Sequence, residues 1–82
     1  MKRFAASKLG LVIMVEIHNS RIYMKIEDQM IRGAFKQLLS KKMAKLPMTQ
    51  GKWDVYEIEG KTEDEIEIES KKMFEEGGFS IA

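Results

Sequence analysis

Two runs of β-branched and apolar residues, 9–17 and 21–27, stand only two residues apart, and that spacing constrains the fold more than any other feature. Asn19-Ser20 is the connection, and a two-residue connection closes an antiparallel hairpin. With that turn Ile17 faces Ile22, Val15 faces Met24 and Ile13 faces Ile26, so one hairpin face is wholly apolar. The other face carries Met14, Glu16, His18, Arg21, Tyr23 and Lys25. The first run is apolar on both parities, which suits a strand covered on one face and partly covered on the other.

The rest of the chain must supply that cover. Met30, Ile31, Ala34, Phe35, Leu38 and Leu39 recur at helical spacing, with Asp28 as N-cap and Leu46-Pro47 as the stop. Gly33 inside this helix costs about 1 kcal/mol relative to alanine, which predicts a close approach to a neighbouring element. Beyond Ser40 the helical projection carries Lys41, Lys42 and Lys45 to the side of the core stripe. Either the last turn overhangs the sheet edge, or the helix ends early and 41–46 is a basic loop. Residues 52–59 predict a third strand with Trp53 and Tyr56 on opposite faces, Trp53 half-buried against the first helix. Thr62 and Glu65 then have the spacing of a capping box, Glu67 and Lys71 form an i,i+4 pair, and Gly77 is a C-terminal cap. The alternation over 65–70 also fits a strand, but the capping box favours a helix. Phe79–Ile81 reads as an edge strand. The expectation is one α+β domain, residues 1–82: a small sheet with two helices on one face, in the order β-β-α-β-α with a final edge strand.

Several chemistries have no residues to work with. The chain has no cysteine and a single histidine, which removes disulfides, thiolate zinc sites and multi-histidine centres. Gly60-Lys61-Thr62 lacks the preceding glycine of a phosphate-binding loop, since Val55 holds that position. His18 stands at the hairpin tip without a second acid–base group or nucleophile that the sequence nominates. The acids between Glu57 and Glu69 show no calcium-loop spacing. The expectation is therefore no enzyme, no metal and no cofactor. The apolar run Leu9–Val15 is far shorter than the roughly 20 residues that span a bilayer, and no signal-peptide cleavage site follows it. A cytoplasmic location is expected.

Charge is the positive signal. The net charge is +1, but residues 1–52 carry eleven bases against three acids, a net of +8, and residues 53–82 carry three against ten, a net of −7. Such asymmetry points to polyanion contact, unless the halves neutralise each other on folding. Arg32, Lys36, Lys41, Lys42 and Lys45 lie within fourteen residues with no acid among them. With Arg21, Tyr23 and Lys25 on the open hairpin face they form a candidate RNA-binding surface, cations tracking phosphates and the tyrosine stacking a base. The alternative is a protein-interaction or inhibitor module whose acidic second half docks a basic partner. Unlike charge in the two halves also predicts a homodimer.

A short, cysteine-free chain rich in Met, Lys and Glu resembles the small early proteins of T4-like phages. The likeness covers the whole chain and is one of composition, so it assigns no residue roles. It implies work in the host cytoplasm on RNA or a host protein, such as blocking a toxin ribonuclease.

Overall fold

The computed structural model describes the backbone of residues 1–42 and 47–82 and the side chains of residues 1–39 and 49–82. Lys2–Lys8 forms β1, antiparallel to β2 (Leu11–His18), which turns at Asn19-Ser20 into β3 (Arg21–Lys25). After α1 (Gln29–Lys42) come β4 (Pro47–Gln50) and β5 (Trp53–Glu57), then α2 (Glu63–Glu76) and β6 (Ser80–Ile81). The strands make one sheet in the order β4-β5-β3-β2-β1-β6, and every neighbouring pair is antiparallel. This is the α+β arrangement expected from the sequence, enlarged by β1 and β4.

The β2–β3 register is the one the apolar alternation dictates, with Val15 opposite Met24 and Ile17 opposite Ile22. Asn19 turns the chain at φ 56°, a left-handed conformation that asparagine tolerates. The strand expected from residue 9 begins instead at Leu11. Because Lys2–Lys8 is itself a strand, Leu9 and Gly10 become the tip of the β1–β2 hairpin, at φ 51° and 82°.

Alternation along each strand sorts the sheet into two faces. Phe4, Ala6, Ile13, Val15, Ile17, Ile22, Met24 and Tyr56 point to the side that α1 and α2 cover, where they meet Phe35, Leu39, Ile66 and Phe74 in one core. All four phenylalanines stack there. Phe74 lies 4.9 Å from Phe35, 5.5 Å from Phe79 and 6.0 Å from Phe4 between ring centroids, tilted or edge-on.

Local signals set the helix ends. The Asp28 carboxylate accepts from the backbone N–H of Met30 and Ile31, each at 3.0 Å, and starts α1. At α2 the Thr62 hydroxyl accepts from the Glu65 N–H while the Glu65 carboxylate accepts from the Thr62 N–H, so 65–70 is helix. Gly77 closes α2. Two expectations fail here. Gly33 is exposed, and a Cβ built on it meets nothing within 4 Å, so no close approach explains it. Trp53 does not pack on α1: it shares parity with Val55 and Glu57, opposite to core-facing Asp54 and Tyr56. The stop at Leu46-Pro47 lies partly outside the described residues.

Candidate nucleic-acid interface

The face that the helices leave uncovered is built from the odd positions of β1, β3 and β5 and the even positions of β2. Pairing sets these residues in rows. Arg3, Glu16, Tyr23 and Val55 run across four strands in one row, and Ala5, Met14 and Lys25 in the next. His18, Arg21 and Glu57 make a third row at the β2–β3 turn. Trp53 stands one step beyond the Met24–Asp54 pair on β5, beside Lys25 and diagonal to Tyr23. Diagonal neighbours of this kind are about 7–8 Å apart, within reach for aromatic side chains. Tyr23, Trp53, Arg21 and Lys25 are half-buried, whereas Val55 between them is only 1% exposed. Val12 and Met14 extend the face as exposed apolar residues. The result is an aromatic pair flanked by two cations on the sheet face away from both helices.

The structure divides the eight residues expected to act together. Arg21, Tyr23 and Lys25 lie on the uncovered face. Arg32 and Lys36 belong to α1, in the helix layer on the other side of the sheet. Lys41 and Lys42 are in the last turn of α1 with side chains outside the described residues, and Lys45 lies wholly outside them. Lys25 and Arg32 both line a recess of 350 Å³ at the end of β3, together with Glu27, Gln29 and Lys52.

Arg32 already has a partner. Its Nε and Nη2 donate to the two carboxylate oxygens of Asp54 at 2.5 and 2.7 Å. Asp54 is 1% exposed, so this bidentate pair is what permits a carboxylate under the helix layer. The hydrogen bond and the charge of Asp54 raise the Arg32 pKa further. Beside them the Tyr56 hydroxyl is buried with no hydrogen-bond partner among the described residues, and burial, followed by the Asp54 charge, pushes its pKa up to about 12. Arg32 is a folding residue, and a sequence scan for basic clusters cannot separate it from a free one.

Much of the charge split closes on itself in the same way. The N-terminal ammonium pairs with Glu63 at 3.3 Å and Lys2 with Asp64 at 2.9 Å, joining the basic half to the start of α2. Glu69 takes Lys61 at 2.6 Å, Glu67 takes Lys71 at 3.6 Å, and Glu65 serves the capping box. These five carboxylates belong to the acidic run between Glu57 and Glu69.

Trp53 is the residue that sequence reasoning missed at this site. Its parity relative to Tyr56 was legible, but only the pairing of β5 with β3 brings it beside Tyr23. Among the described residues, no cluster of acidic, histidine or cysteine side chains could hold a metal ion, and no helix is long and apolar enough to cross a membrane. The chain matches no family model, no curated protein and no solved structure.

Proposed function

We propose that this chain binds single-stranded nucleic acid, RNA foremost, across the uncovered face of its sheet. Tyr23 and Trp53 stack bases, while Arg21 and Lys25 hold the phosphates between them. The observation that carries this reading is the placement of two aromatics and two cations on the adjacent strands β3 and β5, on a face that no helix covers among the described residues. Flat sheets with stacked aromatics suit unpaired bases, whose ring faces and edges are open, better than a duplex. The interface expected from the sequence thus keeps its hairpin residues, exchanges Arg32 for Trp53 and moves off the helix.

The test is fluorescence anisotropy with a labelled single-stranded RNA across a salt series. Each phosphate neutralised contributes about −0.7 to the slope of log affinity against log salt, so Arg21 and Lys25 together contribute about −1.4. The double variant Arg21→Ala/Lys25→Ala flattens the slope by that amount. Tyr23→Ala and Trp53→Ala each remove a stacked base, worth roughly 1–3 kcal/mol or about 5- to 150-fold in affinity. A parent protein that does not bind at about 100 mM salt refutes the reading. If Lys41→Ala/Lys42→Ala/Lys45→Ala abolishes binding and the β3 variants leave it intact, the interface is on the helix layer instead.

A further inference from the structure

At the β2–β3 turn the uncovered face sinks into a recess of 370 Å³ lined by His18, Asn19, Ser20, Arg21, Tyr23 and Glu57. That volume is within the range of small-molecule sites, about 300–1,000 Å³. Arg21 and Glu57 stand directly opposite each other on β3 and β5, yet among the described residues neither makes an ion pair. A donor fork and an acceptor carboxylate are therefore held side by side, about one strand spacing (~4.8 Å) apart, with the Tyr23 side chain next to Arg21's on the same face. Glu16, the other acid on this face, is different because Arg3 sits 3.6 Å from it. A carboxylate kept free beside cations needs a reason on a surface that meets phosphates.

We propose that this recess is a guanine subsite. The inference rests on the RNA-binding reading and adds a base preference to it. An ionised carboxylate only accepts hydrogen bonds, and a guanidinium only donates them. Guanine presents a matching edge: the N1–H and N2–H donors lie side by side and O6, an acceptor, follows. Glu57 accepts from N1–H and N2–H, Arg21 donates one N–H to O6 while its remaining N–H groups keep the phosphate contact, and the base stacks on Tyr23. Adenine turns the N1 lone pair toward the carboxylate, and uracil flanks its one donor with two carbonyl oxygens. Cytosine offers a single donor group and leaves the second Glu57 oxygen unmatched, with a smaller ring on Tyr23.

The experiment uses the full chain and four eleven-nucleotide RNAs, each of uridines around one central guanine, inosine, adenine or cytosine. A bidentate contact to a base discriminates by about 1–3 kcal/mol, so guanine binds roughly tenfold tighter than adenine or cytosine. Inosine, which keeps N1–H and lacks the N2 amino group, falls between. Glu57→Gln, similar in shape and checked for an unchanged urea midpoint, brings the four affinities together because its amide donates where guanine also donates. Equal affinity for the four RNAs, or a guanine preference that survives Glu57→Gln, overturns the inference and leaves RNA binding standing. If none of the four binds at about 100 mM salt, both readings fall together.

Discussion

Replacing Leu9 with asparagine is expected to make this protein more stable, although it removes a large apolar side chain. Leu9 and Gly10 are the central residues of the β1–β2 turn, both with positive φ, the pattern of the tight hairpin turn that favours Asn-Gly. For an L-residue with a bulky side chain the left-handed conformation costs about 1–2 kcal/mol, and asparagine avoids much of that. Little is lost in exchange, because Leu9 is 97% exposed and has almost no buried area to forfeit. The net expectation is a gain of about 1 kcal/mol, or about 4–8 °C in Tm for a domain of this size. Urea unfolding followed by circular dichroism gives the answer: the midpoint rises and the m-value stays constant, since the surface exposed on unfolding is unchanged. Gly10→Ala, at φ 82°, moves the midpoint the other way. An unchanged or lower midpoint for Leu9→Asn would mean that Leu9 contributes packing to the recess it shares with Leu11, Ile31 and Phe79, and that the strain argument is wrong.

Three further outcomes are expected. Gly33→Ala stabilises α1 by up to about 1 kcal/mol, because the added methyl meets open space; a loss in a urea melt would show that Gly33 is needed for packing. Phe74→Ala, removing a fully buried ring that touches three others, costs about 3–5 kcal/mol, and a melt with a loss under 1 kcal/mol would contradict the aromatic core. Stability also falls in acid. The Asn19 N–H, then the N-terminal ammonium, hold the Glu63 carboxyl below its ordinary 4.5, and the Thr62 N–H and hydroxyl do the same for Glu65. A lowered folded pKa means that the unfolded chain takes up protons first, so this contribution is full above the unfolded value and disappears as pH falls through the folded one. Glu63→Gln/Glu65→Gln flattens the pH dependence of the urea midpoint below 4.5, and an unchanged acid limb would refute the assignment.

What could be read from the residues follows the range of the physics involved. The β2–β3 register and both helix starts depend on neighbours a few residues apart, and alternation, Asp28 and Thr62–Glu65 state them outright. β1 escaped because Ala5, Ala6 and Ser7 have little strand preference and three bases surround them; its partner β2 supplies what its own residues lack. β4 opens on Pro47, which removes a ladder donor and masks an edge strand. The layer of Trp53 is not legible in the sequence because parity gives two faces without saying which is covered, and Tyr56 takes the core side. The basic cluster reads as one surface in the sequence because the partner of Arg32, Asp54, comes 22 residues later from another strand. For Gly33 the structure offers no packing reason at all.

The phenylalanine cluster has a consequence for how the chain acquires its structure during synthesis. It draws one ring each from β1, α1, α2 and the segment after α2, so the same few ångströms collect residues from both ends of the chain. The meander β1–β2–β3 can pair as soon as it emerges, since its contacts are local and loop closure costs little. Its apolar face then waits for α2, and at about 5–20 residues per second the wait from Lys25 to Phe74 lasts several seconds. During that interval Phe4, Val15 and Ile17 are open to other nascent chains and to chaperones. Premature termination ahead of Phe74 therefore yields a paired but uncovered sheet, a species marked for aggregation or proteolysis rather than a smaller working domain.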